Sequence, residues 1–319
     1  MGSLTLWLIT IGAVLVLLAV DFLLTRRPHE VSLREAAGWS VFYVALPLTF
    51  GVFVWIAYGG ERGLEFMAGY LVEKSLSVDN LFLFMLLLAG FAVPQVLQQR
   101  VLLYGIVGAL VLRGAFIALG AAALQAADEV FIVFGLILLV TAVKVIRDSR
   151  SGHGASTDVT EMRSVRLLRR FMPVSQQYDG PRMTTLLDGR RALTPFALVV
   201  TAVLVTDAVF AVDSIPAVYG ITDDPYLVFA TNAFALLGLR ALYFLLQGLL
   251  SRLVHLGYGL GVILAFIGVK LLLHYAHGVW PSVPEIPTLA SLAVIVAVLA
   301  ITTVTSLRAS REPAVVVDG

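Results

Sequence analysis

The chain is 319 residues long, 59% hydrophobic and 13% charged, with a net charge of +1. So apolar a composition excludes an ordinary soluble domain, and so small a net charge gives no reason to expect nucleic acid as a partner. There is no cysteine, which excludes disulfides, thiolate metal sites and thiol redox chemistry.

Nine apolar stretches are long enough, or nearly so, to cross a bilayer core of about 30 Å as helices. They fall at about 4–24, 39–58, 64–90, 101–123, 129–147, 194–219, 226–248, 256–275 and 288–307. Runs this long and continuous exclude a β-barrel. The expected fold class is an all-α polytopic membrane protein, with a single transmembrane domain over 1–308 and a cytoplasmic tail at 309–319. The first stretch reads as an anchor rather than a cleaved signal, because Met1-Gly2-Ser3 carries no Lys or Arg and no clear cleavage site precedes Arg26-Arg27. Spans one, two and nine carry the fewest chemical features and are expected at the periphery.

The third span is the first with charge in its middle, as Glu73-Lys74-Ser75-Leu76-Ser77-Val78-Asp79-Asn80. A carboxylate in a bilayer is costly unless it is paired, hydrated or metal-bound, so each such acid is a candidate functional residue. Span four carries Arg113 and span five closes on Lys144. The polar segment at about 148–193 contains a basic run from Arg163 to Arg170. Beside membrane spans, that run reads as a cytoplasmic loop touching anionic lipid rather than a nucleic-acid patch. Val165, Leu167, Leu168 and Phe171 could give it a short interfacial helix. Span six repeats the acidic frame as Asp207-Ala208-Val209-Phe210-Ala211-Val212-Asp213-Ser214, again an acid, five residues, a second acid and a small polar side chain. Span seven carries Asn232 and Arg240, and span eight Lys270. His274 and His277 follow near an outer face and read as an interfacial pair rather than as metal ligands.

Aligning Glu73 with Asp207 pairs Asp79 with Asp213 and Asn80 with Ser214. Leu110-Val111-Leu112-Arg113-Gly114-Ala115 then resembles Leu237-Gly238-Leu239-Arg240-Ala241-Leu242, and the run from Gly135 to Lys144 resembles that from Gly261 to Lys270. Spans three to five, about 64–147, thus correspond in order to spans six to eight, about 194–275. Three helices per unit force the second unit to cross in the opposite direction, so a 3+3 inverted repeat is expected, with substrate near the midplane. Of the 22 Lys and Arg residues, 16 fall in loops on one side and Arg62 alone on the other, with five inside spans. By the positive-inside rule the N-terminus is outside and the C-terminus cytoplasmic.

Six residues along a helix are about 9 Å of rise and roughly 240° of rotation. Glu73 and Asp79 therefore cannot chelate one ion from an unbroken helix, nor can Asp207 and Asp213. Either each helix breaks near the site or the two acids occupy different layers. Pro216 favours a break in span six, because it leaves the carbonyl of Val212 without its helical donor. Glu73, Asp79, Asn80, Asp207, Asp213 and Ser214 offer oxygen alone, with no nearby His or Met, and oxygen suits Mn²⁺, Mg²⁺ or Ca²⁺. The competing reading is that the acids only neutralise Lys74, Arg113, Lys144, Arg240 and Lys270. Matched frames favour a mixture, with Asp79 and Asp213 as core ligands and some basic residues as ion-pair partners released during transport. Lys144 and Lys270 lie near span ends, where snorkelling is equally open, and Asn232 reads as a lining residue or as interhelical glue.

The stretches Glu73–Asn80, Phe210-Ala211-Val212-Asp213-Ser214-Ile215-Pro216-Ala217 and Thr231-Asn232-Ala233-Phe234-Ala235-Leu236-Leu237-Gly238-Leu239-Arg240 closely resemble the TerC family, particularly its Alx-type members, and the resemblance covers roughly 1–305. It implies a bacterial inner-membrane protein linked to manganese export and, by older naming, to tellurium resistance. By position, the family's acidic residues fall on Glu73, Asp79, Asp207 and Asp213, while a Glu that relatives often carry three residues before Asp207 is Leu204 here. The expected function is that of a secondary transporter exporting divalent cations, with Mn²⁺ as transported substrate, no catalytic residue and no cofactor. Its expected partners are the metal ion and membrane lipid, and an oligomer is compatible with the sequence. With no Gly-x-x-x-x-Gly-Lys-[Ser/Thr] loop to harness ATP, coupling is expected by proton antiport through Glu73 and Asp207. Export of an amino acid or another cation stays open, as does metal delivery or sensing. An intramembrane aspartyl protease is disfavoured, because no Gly-x-Gly-Asp frame occurs on a second helix.

Overall fold

A computed structural model of the chain describes residues 2–24, 32–151, 173–175, 177–187, 190–246 and 255–309, with Asp79 and a few others described in their backbone alone. The helices are α1 (Leu4–Leu24), α2 (Leu33–Tyr58), α3 (Gly60–Gly90), α4 (Gln95–Ala126), α5 (Val130–Ser151), α6 (Pro195–Tyr219), α7 (Pro225–Leu237), α8 (Leu239–Leu246), α9 (Leu256–Val279) and α10 (Thr288–Ala309). Among the described residues, eight segments are long and apolar enough to cross a membrane, with α7 and α8 together forming one of them. The 31-residue α3 is long enough by itself but carries six charged residues, of which Glu65 and Glu73 are buried among neighbouring helices. The protein is thus an all-α polytopic membrane protein.

Local sequence explains where several helices begin. The Thr194 side chain accepts from the Ala197 amide at 3.2 Å ahead of Pro195, and Asp224 accepts from the Tyr226 amide at 2.9 Å ahead of Pro225. Both are a capping oxygen followed by a proline, whose missing N–H is no loss in the first turn. Gly59 alone joins α2 to α3 at φ +97°, a conformation that glycine adopts without a Cβ clash.

Helix α3 runs through the middle of the bundle, against α2, α6, α7 and α10, while α4 packs on α6 and α7. Of the most apolar window of each helix, 83% is buried for α7–α8, against 17% for α5 and for α10 and 22% for α1. The outer helices therefore turn Leu8, Ile56, Val140 and Ile301 outward, an apolar surface suited to lipid chains rather than water. The closest pairing is α5 against α9, which cross antiparallel: a Cβ on Gly268 would meet the Gly135 carbonyl oxygen at 2.9 Å, and one on Gly261 would meet that of Ala142 at 3.3 Å. Gly268→Ala is expected to force these helices apart and to cost about 1–3 kcal/mol by overpacking. A lower thermal midpoint in detergent would register it, and an unchanged midpoint would show that the crossing is not tight.

Two features differ from expectation. The seventh span is interrupted at Gly238, between α7 and α8. The loop after α5 holds an antiparallel hairpin, β1 (Thr184–Leu187) with β2 (Arg190–Leu193), in which Leu187 pairs with Arg190. In sequence the two strands are separated by Asp188-Gly189, a strong hairpin signal. Nearby, the Tyr178 hydroxyl donates to the Phe91 carbonyl at 2.7 Å, at the end of α3. Burial pushes this phenol up to about 12, so it stays a neutral donor at physiological pH. The expected interfacial helix at Val165–Phe171 and the tail at 310–319 lie outside the described residues.

Candidate functional site

The polar centre of the bundle is built on two matching stripes. On α3, Glu73, Ser77 and Asn80 follow one another at i, i+4 and i+7, which is one helix face, and all three are buried. On α6 the same spacing gives Asp207, Ala211 and Ser214, all about 1% exposed. The first acid and the small polar residue of each sequence frame therefore share a face. Asp213 lies off that face and is half-buried.

Arg113 of α4, fully buried, reaches between the two stripes. Its Nε and Nη2 donate to Asp207 Oδ2 and Oδ1 at 3.2 and 3.0 Å, a two-pronged pair. Its Nη1 donates to Glu73 Oε1 and, at 2.9 Å, to Asn232 Oδ1 of α7. The Asn232 amide is oriented in turn by Nδ2 donating to the Val228 carbonyl at 3.0 Å. Four helices thus supply one residue each to a cluster of two carboxylates, one guanidinium and one amide, with net charge −1. Buried ions need such pairing and hydrogen bonding to be tolerated in an apolar interior.

The buried oxygens on α3 and α6 without a well-formed hydrogen bond include Glu73 Oε2, Ser77 Oγ and Ser214 Oγ, with Tyr70 Oη and Thr206 Oγ1 elsewhere on the same helices. Unpaired buried polar atoms are uncommon and call for a water or an ion. In a second layer, Asn80, Asp213 and Ser214 line a small cavity with Leu76, Phe210 and Leu264, of about 50 Å³, room for an ion or a very few waters. Ser214 belongs to both layers. The side chain of Asp79 lies outside the description, so its expected place beside Asp213 is not part of this geometry. Among the described residues, no three of Asp, Glu and His converge as a ready-made metal cage.

Several expectations are corrected by this arrangement. Both α3 and α6 are unbroken, so the acids of a frame occupy different layers instead of meeting at a kink. Pro216 lies in the last turn of α6 and removes the one bond that the Val212 carbonyl would accept, yet the helix continues to Tyr219. The interruption is instead at Gly238, where Lys74 Nζ donates to the Ala235 carbonyl at 3.4 Å, a cation at the C-terminal end of α7. Arg240, whose sequence surroundings resemble those of Arg113, turns away from the acidic centre to pair with Asp21 of α1 and to donate to Gln99 of α4 at 3.4 Å. The two lysines also part company: Lys144 is exposed, whereas Lys270 is buried. Leu204 packs on Gly108 of α4.

A wide cavity of about 1010 Å³ opens where α3 begins and α4, α6 and α9 end, lined by Glu61, Glu65, Asp128, Asp223, Lys270 and Glu285. Glu65 Oε2 accepts from Thr222 Oγ1 and from Arg62 Nη1, each at 2.8 Å. His274 Nδ1 lies 2.7 Å from Glu285 Oε1, and His277 Nδ1 lies 2.6 Å from the Val283 carbonyl, so the two rings serve separate partners. Sequence reasoning passed over Asp21 and Glu65. Asp21 had a signal, since it is an acid inside an otherwise apolar first span.

Residues 58–314 match the model of the integral membrane protein TerC family. The chain belongs to this family. It is 46% identical over 272 residues to an uncharacterized membrane protein of Mycobacterium tuberculosis, Rv2723, covering 85% of this chain and 68% of that one. It is 40% identical over 270 residues to the Escherichia coli protein named "Putative membrane-bound redox modulator Alx", covering 82% and 83%. An uncharacterized membrane protein of Myxococcus xanthus is likewise 40% identical over 273 residues, covering 85% and 84%. No solved structure matches the chain.

Proposed function

We propose that this TerC family protein is a secondary transporter exporting a hard divalent cation, Mn²⁺ in the first place, from the cytoplasm across a bacterial inner membrane. What carries this reading is the set of buried oxygens between α3 and α6: Glu73, Ser77, Asn80, Asp207, Asp213 and Ser214 present no nitrogen base or sulfur, and three of their oxygens lack a well-formed hydrogen bond. Oxygen-only donors of this kind suit Mn²⁺, Mg²⁺ and Ca²⁺ over softer metals. Asp79 joins them as a ligand by its place in the sequence frame. The inverted repeat is supported by the packing: α4 lies on α6 as its mate α7 lies on α3, and the Gly135–Gly268 contact has its counterpart in Gly261–Ala142. Such repeats place substrate at the midplane and allow access to alternate between faces.

With the basic loops in the cytoplasm, the wide acidic cavity faces outward and is the exit path, and the lipid-facing helices hold the bundle in place. The protein performs no chemistry on its cargo and is not an enzyme. A chain without cysteine has no thiol to exchange, so the redox role in the name of the E. coli relative would reach this chain through metal balance. Export of Mn²⁺ from a negative cytoplasm opposes about 4.6 kcal/mol per 100 mV, and proton antiport supplies that work. Reconstituted vesicles with an imposed pH gradient and an internal manganese-sensitive dye test it: flux should follow the proton gradient. Flux whose direction is set by metal concentrations alone would rule antiport out, and no flux of any divalent ion would favour metal sensing or delivery.

A further inference from the structure

Arg113 occupies the carboxylates that a transported cation would need. Both oxygens of Asp207 and one of Glu73 accept from its guanidinium, and Glu73 Oε2 is the fourth carboxylate oxygen, which accepts nothing from Arg113. We propose that Arg113 is a built-in counter-cation that competes with the transported divalent ion for Glu73 and Asp207, so that guanidinium and metal occupy these carboxylates in turn. This rests on the cation-transport reading above and names the residue through which binding and release are exchanged.

Charge and geometry support it together. With Arg113 in place, Glu73 and Asp207 are held at a net −1. With no Arg113, metal or proton on them they would form an uncompensated pair in an apolar interior, a state too costly for an empty carrier to pass through. With both cations on the same oxygens, the repulsion is as unfavourable. A hard divalent ion takes six or more oxygens, and Ser77 Oγ, Ser214 Oγ and Glu73 Oε2 already lie buried on the two helices that carry these acids, outside the hydrogen bonds to Arg113. Arg113 also has somewhere to stay when it releases them. Asn232 Oδ1 is a neutral acceptor fixed by the Val228 carbonyl, and it can hold one arm of the guanidinium while the carboxylates turn to the metal. Arg240 does not share this role, because Asp21 and Gln99 engage it elsewhere.

The test is Mn²⁺ binding to the purified full chain in detergent, read from the loss of the free-ion electron paramagnetic resonance signal, beside flux in vesicles. A competitor that fills a site lowers apparent affinity by the fraction of time the site is free, so Arg113→Gln should bind Mn²⁺ about tenfold tighter or more, while its flux falls below about a tenth of wild type because no guanidinium displaces the bound ion. A residue that only holds the fold together would give equal or weaker binding, and that result overturns the competition. Should Arg113→Gln fold only when Mn²⁺ is present, the ion has taken the guanidinium's place and the proposal stands. Should it not fold at all, Arg113→Lys decides: an ammonium cannot span both acids, so tighter Mn²⁺ binding than wild type supports competition, and equal or weaker binding overturns it. Wild type that binds Mn²⁺ beside variants that bind it no tighter sinks this inference alone. Failure of wild type and variants alike to bind Mn²⁺, Mg²⁺ or Ca²⁺ sinks the transport reading, and this one with it.

Discussion

Asp213→Asn is expected to abolish protection of cells against excess manganese while the protein remains in the membrane at a near-normal level. Asp213 lines the small cavity with Asn80 and Ser214 and takes no part in the Arg113 pair, so losing its charge leaves the buried ion pair intact. Asparagine keeps the side-chain volume but removes a full negative charge from a site of hard oxygens, where ligand charge count sets divalent-ion affinity over orders of magnitude. Growth on manganese and intracellular manganese by mass spectrometry are the readouts. Export at the wild-type rate would show that Asp213 is structural. Asp79→Asn should behave alike, from its matching position in the first frame.

Asp21→Asn carries the second large effect, and on stability rather than on ion binding. Asp21 and Arg240 are nearly buried, with side chains 3% and 9% exposed, and Tyr43 also bonds to Asp21. Removing one partner leaves the other charge uncompensated, which costs about 3–5 kcal/mol where an ion pair is buried. The thermal midpoint in detergent and the membrane yield should both fall sharply. The double variant Asp21→Asn with Arg240→Gln should recover a large part of the loss, since no orphaned charge remains. If the single variant is as stable as wild type, the pair contributes nothing, and α1 is held by its apolar face alone.

The membrane class, the long helices and the matched acidic frames were legible in the sequence, because hydropathy and helical length are local properties that a bilayer demands of each segment separately. The cap-and-proline starts of α6 and α7 and the Asp188-Gly189 hairpin signal are local too. What only the tertiary structure decided is pairing. Arg113 and Arg240 occupy like positions in similar sequences, yet one bridges Glu73 and Asp207 and the other meets Asp21 of α1. Lys144 and Lys270 end similar runs, yet one is exposed and the other buried. Spacing along a chain says which residues share a helix face, as it does for Glu73 with Asn80 and Asp207 with Ser214. Which charge that face meets depends on how separate helices rotate and approach, and packing of the whole bundle settles it, with the high cost of any unpaired buried ion selecting the partner.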